Sequence, residues 1–267
     1  MTDYIELPSG LVVPESCAPT PMSTCMDLFS GAGGFSLGMI QAGFHVVAAA
    51  DSDPVCAMTY LHNLGAHPVQ FYFAEESDAQ AMEKAIQREW KRQDKGVAIQ
   101  DVFVSGSNRQ PDWGPGVEHF FLGDIRKFTG EYILDAIGME RGELDCIVGG
   151  PPCQGFTTVN RRRNKMDPRN SLVFEFARLV VEMQPKSMCM ENVPGILHMV
   201  TPEGLPVMDV MCRILEDGGF GTVDSLKRSL LSSAGCGAAL RTGKNRKSKK
   251  PQGGAAGVQQ DLFSTGR

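Results

Sequence analysis

No stretch of the 267 residues approaches the ~20 consecutive apolar residues that a membrane span needs. Met1 to Gly10 contains Asp3 and Glu6 and no basic run followed by an apolar one, so no secretory leader is expected. The 8 cysteines, at Cys17, Cys25, Cys56, Cys146, Cys153, Cys189, Cys212 and Cys236, include no Cys-x-x-Cys pair. That scatter argues against a disulfide scaffold or a zinc site, and for reduced thiols in a cytoplasmic or nucleoid-associated protein. Cys25, Cys146 and Cys189 lie in apolar runs and read as packing residues. No internal repeat is found. No metal ligand set is expected.

A 42% hydrophobic content is enough for one sizeable core. Residues 1–22, rich in Pro and Ser, read as an irregular leader. From Cys25 strands and helices alternate. Strands are expected at Cys25–Phe29, His45–Ala50, Glu118–Leu122, Leu144–Val148, Lys186–Met190 and Val223–Leu231. Helices are expected after the turn Ser30–Gly34, from Asp53-Pro54 to about Asn63, over Leu172–Met183 and over Leu205–Asp217. In the third of these, Leu172, Phe176, Leu179, Val180 and Met183 share one face. Residues 74–116, a charged helix-prone stretch followed by a polar one, read as an insertion. The pattern predicts an α/β domain over 23–231, with a mostly parallel sheet and helices on both faces, and a disordered tail over 232–267.

Net charge is −5, yet RTGKNRKSKK at 241–250 has six basic residues and no acid, and Arg161, Arg162, Arg163, Lys165 and Arg169 crowd one segment. Basic patches on an acidic body can still serve a polyanion.

Chemistry is concentrated where strands end. DLFSGAGGF at 27–35 puts a glycine-rich turn after the first strand of the alternation, where parallel sheets bind nucleotide-like cofactors. Its spacing is not Gly-x-Gly-x-x-Gly and no Gly-Lys-Ser/Thr follows, so a phosphate cradle is not expected. Asp51 ends the next strand, placed to accept from ribose hydroxyls, and Asp124 in Gly123-Asp124-Ile125 ends another, placed to accept from an adenine amino group. Each could equally be a helix cap. In GGPPCQGF at 149–156 a strand empties into a rigid Pro-Pro and then Cys153, placed like a nucleophile. Glu191-Asn192-Val193-Pro194-Gly195 could bring a carboxyl group beside Cys153, or could be a turn with a solvated Glu.

The ordered set DLFSGAGGF, GDI, GGPPCQGF, DPRNSLVFEFARLV and MENVPG resembles the cytosine-C5 DNA methyltransferases, from about Cys25 to Phe220. The resemblance implies a Rossmann-like methyltransferase fold that uses S-adenosylmethionine and acts on double-stranded DNA. Phe29 and the turn Ser30, Gly31, Ala32, Gly33 and Gly34 would enclose the methionine part of the cofactor, Asp51 the ribose and Asp124 the adenine amino group. Ile125, Pro151 and Leu172 would also touch it. Ser52 stands where the family often has a bulky apolar residue, so adenine packing would be weaker or come from Ile125. Cys153 would attack C6 of a flipped cytosine while Glu191 holds N3 and the exocyclic amine. Gln154 and the Arg161, Arg162, Arg163, Lys165 and Arg169 loop would contact DNA.

Past Phe220 the resemblance stops. The family's Gln-x-Arg-x-Arg element, recognition region and Asn-containing segment are not found in this sequence. The expectations are a truncated catalytic portion, one subunit of a split enzyme whose second polypeptide supplies recognition, or a non-catalytic binding remnant; tRNA is an alternative substrate.

Overall fold

The computed structural model describes residues 4–6, 12–14, 22–92, 105–110, 113–152, 171–201 and 203–228. By contacts the chain divides into Met1–Lys227 and Arg228–Arg267, and only Arg228 of the second unit is among the described residues. Strands β1 (Tyr4–Glu6) and β2 (Val12–Pro14) form an antiparallel pair within the segment read as an irregular leader.

Six further strands build one parallel sheet: β3 (Thr24–Leu28), β4 (His45–Asp51), β5 (Gly65–Phe73), β6 (Val117–Leu122), β7 (Cys146–Gly149) and β8 (Ser187–Met190), in the spatial order β5-β6-β4-β3-β7-β8. Five of these match the strands expected from sequence. The inner strands β3, β4 and β7 are near-continuous apolar runs because helices cover both faces. Successive strand residues point to opposite faces. Phe120 therefore meets Tyr60 of helix α2 (Pro54–Leu64) edge-on at 5.4 Å, while Phe121 faces Phe128 and Tyr132 of helix α4 (Gly130–Ile137). Cys25 and Cys146 are neighbours across β3 and β7, both buried as packing residues.

The local signals hold where they were strongest. Helix α1 (Gly34–Gln41) follows the glycine-rich turn, and Asp53 caps α2 by accepting from Val55 and Cys56 N–H at 2.7 and 3.2 Å, with Pro54 at the first helical position. Helix α5 (Leu172–Met183) buries Val173, Phe176, Ala177, Leu179, Val180 and Met183; Leu172 is half-buried at its start.

Several expectations need correction. Strand β5 was not read at all. Val69, Phe71 and Phe73 alternate onto the core, but Gly65 and Pro68 obscure the pattern, and β5 tolerates a proline because it is an edge strand. Helix α3 (Glu76–Arg92) lies inside the segment 74–116 read as an insertion, follows β5 and packs Met82 into the core. Residues 223–228 are helical, not a strand. There Thr222 Oγ1 accepts from Ser225 N–H and Ser225 Oγ accepts from Thr222 N–H, a reciprocal cap that starts a helix. Cys189 is exposed instead of packed, because β8 lies at the sheet's edge and none of its four residues is fully buried. Helix α6 (Val207–Asp217) begins two residues later than read. No helix among the described residues is long and apolar enough to cross a membrane.

Candidate functional site

Because all six strands are parallel, the carboxyl ends of β3, β4, β6, β7 and β8 lie along one edge. The chain leaves β3 for β4 on one side and reaches β7 on the other, a reversal of direction that opens a crevice. A cavity of about 730 Å³ occupies that edge, lined by Phe29, Asp51, Ser52, Asp53, Asp78, Gly123, Asp124, Ile125, Arg126, Gly150, Pro152 and Leu172 together with Ala50.

The glycine-rich turn forms one wall. Phe29, Gly31 and Gly33 all have positive φ, at 60°, 52° and 98°. At Gly33 glycine is required twice over: a Cβ there would come 2.6 Å from Leu64 Cδ1 and 2.9 Å from Tyr60 Cδ2, so α2 packs directly beneath the turn. At Gly31 and Gly34 a Cβ would meet nothing within 4 Å, which leaves open space above the turn. Ser30 N–H donates to Ala50 O at 3.0 Å and Gly33 N–H to Ser30 O at 2.9 Å.

Asp51 ties that turn to β4. Its Oδ2 accepts from Gly31 N–H at 2.8 Å and its Oδ1 from Asp53 N–H at 2.9 Å. A residue read from sequence as a ligand for ribose thus also holds the loop.

Asp124 has a similar double character. It caps the short 3-10 turn Ile125–Lys127 and is gripped by Arg126, whose guanidinium lowers its pKa from the ordinary carboxylate value. Gly123, at φ 133°, is where a Cβ would come 2.5 Å from Asp78 Oδ2, so the first turn of α3 closes over the end of β6. Arg178 of α5 anchors this loop from below: it pairs with Glu175 and Glu182 and donates to the carbonyls of Ile125 and Phe128 at 3.3 and 3.0 Å.

At the other end of the cavity β7 runs into Gly149-Gly150-Pro151-Pro152. Glu191 N–H donates to Gly149 O at 2.9 Å, and Asn192 Nδ2 to Pro151 O at 3.0 Å. A Cβ on Gly150 would come 3.2 Å from Glu191 Oε2, so the carboxylate stands against that glycine. Glu191 is exposed. Pro152, not Pro151, lines the cavity; Pro151 is buried and contributes its carbonyl. Cys153, one peptide bond further, lies outside the described residues, as do Gln154, Arg161, Arg162, Arg163, Lys165 and Arg169.

Of the residues singled out from sequence, the cavity gathers Phe29, Asp51, Asp124, Ile125 and Leu172. The sequence pattern marks Asp53 only as a helix cap and gives no sign of Asp78, Arg126 or the role of Asp27 in the site. Asp27 is fully buried; its Oδ2 accepts from Ser36 N–H at 3.1 Å and Ser36 Oγ–H at 2.6 Å, and Ser36 Oγ lies 2.6 Å from Tyr60 Oη. Its Oδ1 and the Ser30 Oγ are buried with no hydrogen-bond partner among the described residues. A charged residue at the buried end of an apolar strand was the signal available for it.

The cavity's chemistry selects its ligand class. It offers carboxylates at Asp51, Asp53, Asp78 and Asp124, and the one lining cation among the described residues, Arg126, is already paired. That set repels phosphate and suits a ligand with hydroxyl and amino donors. The groups that could hold such a ligand are the Asp51 and Asp124 carboxylates and the open space over Gly31 and Gly34. Among the described residues no cluster of three metal-ligating side chains occurs.

Comparison with known proteins bears on this arrangement. The family model for C-5 cytosine-specific DNA methylases matches residues 23–86 and 116–239. The type II methyltransferase M.AquIA of Picosynechococcus sp. is 31% identical over 173 residues, covering 65% of this chain and 49% of that protein. A putative type II methyltransferase, M.MjaORF1200P of Methanocaldococcus jannaschii, is 28% identical over 200 residues, covering 64% and 48%. The DNA (cytosine-5-)-methyltransferase M.ApeKI of Aeropyrum pernix is 30% identical over 177 residues, covering 64% and 29%. The chain thus spans half or less of the length of these relatives.

Proposed function

The chain belongs to the C-5 cytosine-specific DNA methylase family, and on that premise we propose that it carries the catalytic part of a DNA cytosine-C5 methyltransferase, with Cys153 as nucleophile, Glu191 as its partner on the base and S-adenosylmethionine in the cavity. The observation that supports this most is the pair of hydrogen bonds tying Glu191 and Asn192 to Gly149 and Pro151. They bring a carboxylate to the strand exit that leads into Cys153, at the wall of a phosphate-repelling cavity.

The chemistry follows from an electronic problem. C5 of cytosine is a poor nucleophile. When the Cys153 thiolate adds to C6, the S–C6 bond forms and the C5–C6 π pair moves onto C5 and toward N3. Glu191 would hydrogen-bond N3 and the exocyclic amine and neutralise the charge that gathers there. S-adenosylmethionine, when bound, supplies an electrophilic methyl group. Once C5 is methylated, loss of its proton to base returns the electron pair to the ring, breaks the S–C6 bond and regenerates the thiolate. A stacked base is out of reach of Cys153, so the cytosine must flip out of the duplex.

Gln154 and the basic run Arg161, Arg162, Arg163, Lys165 and Arg169 would meet the DNA backbone, giving weak, salt-dependent contacts without sequence preference. Base readout would come from a second polypeptide, a reading supported by relatives of which the matched part of this chain spans about half.

The test uses DNA in which target cytosines are 5-fluorocytosine, whose fluorine cannot leave as the C5 proton does. Incubated with S-adenosylmethionine and whatever recognition-bearing polypeptide it requires, the chain should form a covalent adduct, absent for Cys153→Ser while S-adenosylhomocysteine binding is kept. An adduct that survives Cys153→Ser would overturn the assignment.

A further inference from the structure

Asp78 lines the cavity but belongs to none of the motifs that carry the family resemblance. It stands in the first turn of α3, shortly after strand β5. Its side chain is half-buried against the end of β6: a Cβ on Gly123 would come 2.5 Å from Asp78 Oδ2, 2.9 Å from its Cγ and 2.6 Å from Ala74 Cβ. The two segments approach this closely because residue 123, at φ 133°, is a glycine.

The turn that carries Asp78 is held from three sides. Ala74 N–H donates to Leu122 O at 3.0 Å, which extends the pairing of β5 with β6 to its last residue. Asp78 Oδ2 reaches back to accept from Glu75 N–H at 2.9 Å, and Asp78 N–H donates to Glu75 O at 3.0 Å. Glu75 also pairs with Lys127, the last residue of the 3-10 turn that Asp124 caps.

We propose that Asp78 is a specificity-determining residue whose side chain bounds the cavity at the end of β6, so that an adenosyl ligand is accepted there only while its exocyclic amine carries no added group. The inference rests on the cofactor reading above, with the base directed at Asp124. It deepens that reading by giving a segment outside the family's motifs control over the size of the base.

The basis is shape. Asp124 follows Gly123 in the chain, so a ligand group that reaches Asp124 also comes to the place where Asp78 covers Gly123. A close-packed wall admits an added methyl group only if its side chains leave their rotamers. Here one Asp78 oxygen is committed to the Glu75 N–H and the Gly123 backbone stands behind the carboxyl group, so the side chain has little room to retreat. Charge is not required. Asn has the same outline and can accept the same N–H, whereas Ala vacates the space of the carboxyl group.

The experiment is calorimetric titration with S-adenosylhomocysteine and with its analogue methylated on the exocyclic amine. Wild type should bind the methylated compound at least about tenfold more weakly. Asp78→Asn should keep that ratio, and Asp78→Ala should bring the two affinities within about threefold of each other. Thermal melts establish that each variant is folded. Equal binding of both compounds by the wild type overturns the inference. So does an unchanged ratio in Asp78→Ala, which would make Asp78 a helix cap and nothing more. Relaxation by Asp78→Asn as complete as by Asp78→Ala would also overturn it, by tracing the selectivity to charge. Those three results leave the cofactor reading standing; failure of the wild type to bind S-adenosylhomocysteine at all would sink that reading and this inference with it.

Discussion

Replacing Asp27 by Asn should remove the part of the protein's loss of stability that occurs as pH rises from about 4 to about 7. Burial of the Asp27 carboxyl pushes its pKa up, the two Ser36 hydrogen bonds pull it partly back, and the nearby charge of Asp51 adds a little more, leaving it at about 7 against 3.8 for an unperturbed Asp. The folded state therefore keeps a proton that the unfolded chain has already released. That contribution to stability is complete below the unfolded pKa and is lost as pH rises through about 7. Each pKa unit corresponds to about 1.4 kcal/mol. Between about pH 6 and about pH 8.5 the wild type should lose about 1.4 kcal/mol from this group, or about 3–6 °C in Tm for a domain of this size. Asn cannot titrate. Its amide nitrogen would sit where Oδ1 is buried without a partner, which costs about 1–3 kcal/mol, but that cost is the same at every pH and cancels in the comparison. The assay is thermal melting of both proteins across the pH range, read as the difference in Tm between them. Two parallel curves would refute the reasoning, because they would mean that Asp27 has the same proton affinity folded and unfolded.

Two further outcomes follow from the glycine-rich turn and its tie. Gly33→Ala should destabilise by about 2–3 kcal/mol in urea titration, since it meets both a left-handed backbone and the Leu64 and Tyr60 side chains, whereas Gly31→Ala, strained but in open space, should cost about 1–2 kcal/mol; equal costs would mean that α2 does not pack under the turn. Asp51→Ala should weaken S-adenosylhomocysteine by roughly tenfold or more in calorimetry, through the lost ribose contact and the released Gly31 N–H together; unchanged affinity would remove Asp51 from the site.

The parts of the site legible in the sequence are those whose chemistry is carried by neighbours in the chain. Asp53-Pro54 starts a helix wherever it stands at the end of a strand, because the cap and the fixed φ are local. The strands β3, β4, β6 and β7 were readable as apolar runs, and their alternation with helices was enough for a parallel sheet. Once parallelism is assumed, Asp51, Gly123-Asp124, Gly150 and Glu191 must share one edge. Strand β5 was not legible, because Gly65 and Pro68 interrupt its alternation and its pairing with β6 is supplied from more than forty residues away. The end of the chain's described part departs from its pattern for the opposite reason: Val223 and Leu226 suit a strand, but among the described residues no strand lies there to pair with, and the Thr222 and Ser225 caps turn the segment helical.

By itself, then, the sequence determined the order of elements, the family and the identity of the groups set at strand ends, since each of these depends on spacing within a few residues. What those groups do to one another was decided only in three dimensions. Asp27 is an ordinary acid in the sequence; it titrates near neutrality because β4 and α2 close around it and remove its water. Asp51 and Asp124 read as ligands waiting for donors, yet each already holds backbone N–H groups, and Asp124 is additionally gripped by Arg126. Glu191 lies far from Gly150 along the chain, and parallel pairing of β7 with β8 brings its carboxylate to that glycine. Burial, desolvation and the sharing of lone pairs depend on which distant segments pack together, and a linear pattern does not encode them residue by residue.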